Sequence, residues 1–117
     1  MHRPVLLGEV VEHLVVGLGG RYLDGTLGGA GHARAILDRA GAEARLLGLD
    51  RDGFALALAG QNLAGFAPER VVLARGNFAD MKTLAHQHGF TRFEGILLDL
   101  GVSSMQLDRA ERGFSFQ

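Results

Sequence analysis

Three acidic residues end short apolar runs along the chain, and the first of them opens a glycine-rich loop. Asp24 precedes the loop, residues 25–31, while Asp50 and Asp99 end later runs. A carboxylate repels a pyrophosphate and attracts a sulfonium or an ammonium, with a unit-charge pair at about 4 Å worth roughly 1–4 kcal/mol. Asp24 therefore favours S-adenosylmethionine over NAD. Asp50 stands where an acid accepts hydrogen bonds from the ribose hydroxyls of an adenosine cofactor.

The glycine-rich loop is typical of a turn that lets a ligand approach the backbone and the start of the next helix. It is not a nucleotide-triphosphate loop, because His32 follows Gly31 where that motif has lysine. It also fits the dinucleotide motif poorly, because Arg34 stands at the third glycine position. A structural role stays open, in which the loop is only a tight turn and Asp24 and Asp50 cap the helices that follow. Phe78 suits either adenine packing or the core.

These residues need elements that bring them together, and the spacing of apolar residues predicts such elements. Helices are predicted over residues 7–15, 32–40, 52–63 and 81–88, the last with Asp80 as N-cap, and strands over residues 21–24, 44–49, 71–74 and 93–98. Strands that alternate with helices form a parallel sheet covered by helices, and such α/β sheets bind ligands beyond the carboxyl ends of their strands. All three acids are predicted at that edge.

Composition excludes several classes of protein. The chain has 117 residues, no cysteine, 12 basic and 13 acidic residues and a net charge of -1. One small domain without disulfides or thiolate metal sites is expected, in the cytoplasm and not in a membrane. Near-neutral charge argues against strong nucleic-acid binding by this stretch alone. No metal is expected, because His86 and His88 fall on opposite sides of a predicted helix.

Several segments of the chain together resemble one family. They are residues 4–7, 24–32, 50–52, 76–78, 95–104 and 110–116. In this order they are similar to the bacterial ribosomal RNA small subunit methyltransferase H (RsmH/MraW) family. The resemblance implies a Rossmann-like class I S-adenosylmethionine-dependent methyltransferase fold with a partial parallel sheet and flanking helices. It also implies N4-methylation of a cytosine in the decoding region of 16S rRNA, within the small ribosomal subunit.

The resemblance also implies which residues line the cofactor site. Asp24, which precedes the glycine-rich loop, and Gly28 within it are added to that set. The expected set is Asp24, Gly28, Ala30, Gly31, His32, Asp50, Phe78, Asp99 and Gln106. Ala30 stands where the family most often has glycine. By their place after the fourth predicted strand, Asp99 and the Leu100 backbone carbonyl are the expected acceptors for the hydrogens of the cytosine amine.

Members of this family continue beyond the length of this chain, with an inserted helical domain and further strands. Residues 1–117 are therefore expected to form the N-terminal, cofactor-binding part of the methyltransferase domain, with little activity alone. If the sheet ends at the fourth strand, residues 95–100 form an exposed apolar edge that favours self-association. Two alternatives stay open: a cofactor-binding half-domain without catalysis, and an NAD-dependent oxidoreductase.

Overall fold

A strand is followed by a helix three times in succession, as the sequence predicts. The computed structural model describes residues 11–25, 30–99, 105–108 and 114–115, with side chains over 11–25 and 30–98. Its strands are β1 (Arg21–Asp24), β2 (Arg45–Asp50), β3 (Val71–Arg75), β4 (Arg92–Phe93), β5 (Gly95–Asp99), β6 (Met105–Asp108) and β7 (Phe114–Ser115). Its helices are α1 (Gly31–Ala40), α2 (Gly53–Asn62) and α3 (Met81–Gln87). Residues 11–14 are also helical, and 3-10 turns span Pro68–Arg70 and Phe78–Asp80.

The main sheet has the strand order β3-β2-β1-β5-β6. The first four of these strands are parallel, and β6 runs antiparallel to β5. The order reverses beside β1, whose neighbours are β2 on one side and β5 on the other. Ligands of open parallel sheets bind beside such a reversal, at the carboxyl edge. The parallel α/β sheet predicted from the sequence is thus confirmed.

Alternate residues of the strands pack against opposite layers of helices. Tyr22, Leu46 and Leu97 contact α1, α2 and residues 11–15, whereas Leu23 and Leu47 belong to the layer that holds α3. Both faces of the central strands are buried, which explains why these strands read as continuous apolar runs. The helices on either side hold the carboxyl ends of β1 and β2 in fixed positions.

Two predictions about the last part of the sheet are wrong. The strand predicted over residues 93–98 is two strands, β4 and β5, with Glu94 between them. β5 is also not an exposed edge, because it pairs with β1 on one side and with β6 on the other. The expected self-association through residues 95–100 therefore loses its basis, since the hydrogen-bonding groups of β5 are already paired with a strand from the same chain.

Candidate cofactor site

The carboxyl end of β1 is buried and packed directly against β5. Asp24 has no solvent exposure, and the Gly25 N–H donates to the Leu97 carbonyl at 2.8 Å. A Cβ on Gly25 would lie 3.1 Å from a methyl carbon of Leu98, so only glycine fits there without displacing that side chain. Burial of a carboxylate is costly unless nearby charge or hydrogen bonds compensate for it. Asp24 is thus a fully buried carboxylate at the carboxyl end of β1.

Helix α1 begins at the end of the glycine-rich loop, and its first residues border open space. Its N-cap, Ala30, is buried and left-handed, with φ 70° and ψ 21°. A Cβ on Gly31 would meet no atom within 4 Å, and His32 is half-buried. The first turn of α1 carries no acidic residue, so the positive end of the helix dipole is not neutralised there. Gly28 lies outside the described residues.

Asp50 and Asp52 each accept a hydrogen bond from a different backbone N–H in the turn after β2. Asp50 Oδ1 accepts from the Asp52 N–H at 2.9 Å, and the Asp50 backbone carbonyl accepts from the Gly76 N–H at 3.0 Å. Asp52, the N-cap of α2, accepts from the Phe54 N–H at 2.9 Å. The capping role that the sequence left open for Asp50 therefore belongs to Asp52, and Asp50 stays half-buried at the carboxyl edge.

Phe78 is not a core residue, which removes one of the two roles left open for it. It begins the 3-10 turn after β3, and 47% of its surface is exposed. Asp80 is at the N-cap position of α3 as predicted, but its side chain makes no cap hydrogen bond. Its carboxylate instead accepts from the Asn77 N–H at 3.2 Å and closes the turn that presents Phe78.

The residues expected at the reacting end of the site are described only in part. Asp99 is the last residue of β5 and pairs with Met105, and Gln106 pairs with Leu98. This register brings the backbones of Asp99 and Gln106 to the same edge as Asp24. The side chains of Asp99 and Gln106, and the whole of Leu100, lie outside the described residues.

One group at this edge was missed by the sequence analysis. Phe54, in the first turn of α2, is 79% exposed, and Leu58 one turn later is 41% exposed. The signal was present in the sequence, because α2 carries no charged residue with which to form a solvent-facing stripe.

Within the described part of the chain there is no cluster of three potential metal ligands. No described helix is long and apolar enough to cross a membrane.

The chain matches one protein family and its relatives over nearly its whole length. A family model described as the MraW methylase family matches residues 1–117. The chain is 53% identical over 116 residues to "Ribosomal RNA small subunit methyltransferase H" of Geotalea daltonii, and 52% identical over 115 residues to the protein of that name from Geobacter sulfurreducens. These matches cover 99% and 98% of this chain and 37% of each relative, so the chain spans about 37% of their length.

The fold has counterparts among solved structures. A SAM-dependent O-methyltransferase from Thermotoga maritima superposes with a TM-score of 0.61 at 20% identity, over 68% of this chain and 31% of the other. An identity this low bears on the fold alone. The fold is the Rossmann-like one of class I S-adenosylmethionine-dependent methyltransferases, as predicted, and its carboxyl edge is the one that gathers Asp24, Ala30, Asp50 and Phe78.

Proposed function

Because the chain belongs to the MraW methylase family, we propose that it supplies the S-adenosyl-L-methionine site of a 16S rRNA (cytosine-N4)-methyltransferase. The names of the relatives support ribosomal RNA of the small subunit as the substrate class. The cytosine N4 atom is the acceptor within that proposal, and the cytoplasm is its compartment. Since the chain spans 37% of the relatives' length, the activity of the whole enzyme is part of this proposal.

The donor set at the carboxyl edge fits this cofactor. Buried Asp24 would compensate a positive charge of the methionine part, as its location at the end of β1 suggests. The N–H groups at the start of α1, where no acid competes, would receive the methionine carboxylate. Asp50 would accept from the ribose hydroxyls, and exposed Phe78 would pack against the adenine.

The reaction needs a bound methyl donor and acceptors for the hydrogens of the cytosine amine. The bound cofactor supplies an electrophilic methyl group on a sulfonium. The cytosine amine is a poor nucleophile because its lone pair is delocalised into the ring. Acceptors that hold both amine hydrogens would let the nitrogen become pyramidal in line with that methyl. We assign this role to the Leu100 carbonyl and to the Asp99 carboxylate. The carboxylate would receive the amine proton as the N–C bond forms and the sulfur–methyl bond breaks, which would leave a neutral thioether.

The observation that carries the proposal is the convergence of one buried and one half-buried carboxylate at the strand reversal. Asp24 and Asp50 end neighbouring parallel strands, with Asp24 aligned to Gly48 two residues before Asp50. A fully buried acid at the end of β1 and the uncapped start of α1, the helix that follows β1 in the chain, together suit a zwitterion that carries both charges. It suits the pyrophosphate of NAD poorly, because two like charges would then be close.

Calorimetric titration with S-adenosylhomocysteine tests the cofactor assignment, with NAD as the competitor. Saturable binding that NAD does not displace is expected, and Phe78→Ala should weaken it about tenfold. Displacement by NAD at comparable concentration would favour the oxidoreductase alternative. Transfer of labelled methyl groups to small-subunit RNA tests the reaction, with the full-length Geotalea daltonii relative as the positive control. Binding without transfer would support the alternative of a cofactor-binding half-domain.

A further inference from the structure

Basic side chains at the two edges of the main sheet differ in what they bind. At the amino edge, Arg21 binds Glu94, while Arg45 and Arg70 donate to backbone carbonyls. At the carboxyl edge, the side chains of Arg51 and Lys82 donate to no acceptor in the described ranges, and both residues are exposed. Arg21, Arg45 and Arg70 are therefore bonded within the fold, whereas Arg51 at the carboxyl edge has no acceptor among the residues that the structure describes.

Arg75 brings a second guanidinium to the loop that carries Arg51. Its Nε donates to the Arg51 carbonyl at 3.0 Å, and its Nη1 lies 3.4 Å from where a Cβ on Gly53 would be. The two acids of this loop, Asp50 and Asp52, accept from backbone N–H groups of the loop and of the helix start. The loop thus carries two exposed guanidinium groups, of which that of Arg75 is held to the loop backbone through Nε.

An exposed aromatic ring stands beside these charges. Phe54 follows Arg51 by three residues and is 79% exposed, although it begins a helix whose other face is packed on the sheet. We call Arg51, Phe54 and Arg75 the loop patch. An exposed ring at the start of the helix that follows a loop with two exposed guanidinium groups suits single-stranded nucleic acid, because bases stack on such rings and phosphates pair with such cations.

We propose that the loop patch holds a single-stranded segment of the RNA substrate, with one base on Phe54 and the flanking phosphates at Arg51 and Arg75. The proposal rests on the proposed function, since it takes RNA as the substrate. Charge complementarity favours RNA over a second copy of this chain, which has a net charge of only -1. The patch adjoins Asp50, so the RNA would run along the rim of the cofactor site.

Fluorescence anisotropy with a labelled single-stranded oligoribonucleotide tests this proposal over a range of salt concentrations. Phe54→Ala should weaken binding about tenfold, whereas Phe54→Tyr, which keeps a stacking ring, should restore it. Arg51→Gln should lower the slope of log affinity against log salt by about 0.7. Lys82→Gln removes the same charge from α3, which packs on the opposite face of the sheet. It should change the affinity and the slope by less than half of the change that Arg51→Gln causes. Leu18→Ala, at an 88% exposed apolar residue before β1, is the control for Phe54→Ala.

Each other outcome overturns the proposal. Absence of RNA binding by the parent chain at low salt does so, as does equal weakening by Arg51→Gln and Lys82→Gln. A fall in sedimenting mass in Phe54→Ala with unchanged RNA affinity would identify the patch as a protein contact. Titration of the same variants with S-adenosylhomocysteine separates this proposal from the proposed function, whose cofactor assignment fails if the parent chain does not bind that compound.

Discussion

Glu94 binds Arg21 through both the backbone and the side chain of that arginine, across 73 residues of chain. Its carboxylate accepts from the Arg21 backbone N–H and from Nε and Nη2 at 3.2 and 3.0 Å. Its own N–H donates to the Arg21 carbonyl at 2.8 Å, and Arg92 adds a contact of 3.2 Å. The start of the central strand β1 is thus fixed to the residue that separates β4 from β5.

Glu94→Gln should lower the free energy of unfolding by about 1–2 kcal/mol, because the amide keeps the shape but weakens charge-assisted hydrogen bonds at a partly exposed site. Chemical denaturation measures the change. Glu43→Gln is the matched control, since the Glu43 side chain is exposed and has no partner in the part of the chain that the structure describes. Equal effects of the two substitutions would contradict the importance of the Arg21 contact.

The same contact predicts a dependence of stability on pH. Burial alone would raise the pKa of Glu94, but the hydrogen bonds and charge of Arg21, with the charge of Arg92, hold it below its usual 4.5. A carboxyl whose pKa is lower in the folded state stabilises the fold above the unfolded pKa and loses that contribution as pH falls through the folded pKa. The difference in unfolding free energy between the parent and Glu94→Gln should therefore be constant near neutral pH and shrink below about pH 4.5. A difference that stays constant down to pH 3 would refute this.

Ala30 and Ala33 should respond differently to glycine, although both are buried. Each substitution removes a buried methyl group, which costs about 1 kcal/mol. At Ala30 the substitution also relieves the strain of a positive φ of 70°, because glycine adopts this conformation freely. That relief stabilises the fold by a similar free energy. Ala30→Gly should thus change the unfolding free energy by less than about 0.5 kcal/mol, and Ala33→Gly should lower it by about 1.5–2 kcal/mol. Thermal and urea unfolding of both variants provide the measurement, and a larger loss in Ala30→Gly would contradict it.

Asp50→Asn should weaken binding of S-adenosylhomocysteine about tenfold, because a neutral amide oxygen is a poorer acceptor for ribose hydroxyls than a carboxylate. The amide oxygen can still accept from the Asp52 N–H, so the turn should persist. Asp52→Asn, which keeps the cap of α2 and removes a neighbouring charge, should leave affinity within twofold. Calorimetry of the pair decides, and equal losses would assign the effect to charge alone.

The sequence predicted the central strands well because their burial leaves a plain signal. The predicted bounds of β1 match the structure, and those of β2 and β3 differ by one residue. Such strands are apolar throughout and end at acids or turns, which local sequence records directly. β6 was missed because its pairing with β5 depends on a contact between segments and not on local periodicity.

At the candidate site, residue types were informative and orientations were not. The strand-end position predicted Asp24 and Asp50, yet the sequence did not distinguish a cap from a ligand acceptor. That distinction needed the hydrogen bonds of Asp52. Likewise, nothing local separates exposed Phe78 from buried Phe90 and Phe93, because exposure is decided by whether another element packs over the ring.

The strand order also sets a sequence of events during synthesis. β1 receives its second neighbour, β5, only after some seventy intervening residues have been made. At bacterial-type rates of about 5–20 residues per second, that delay lasts roughly 4–15 s. Throughout it the nascent β1 has one side unpaired, which exposes an apolar strand to other chains. A ribosome paused before residue 95 would prolong that interval.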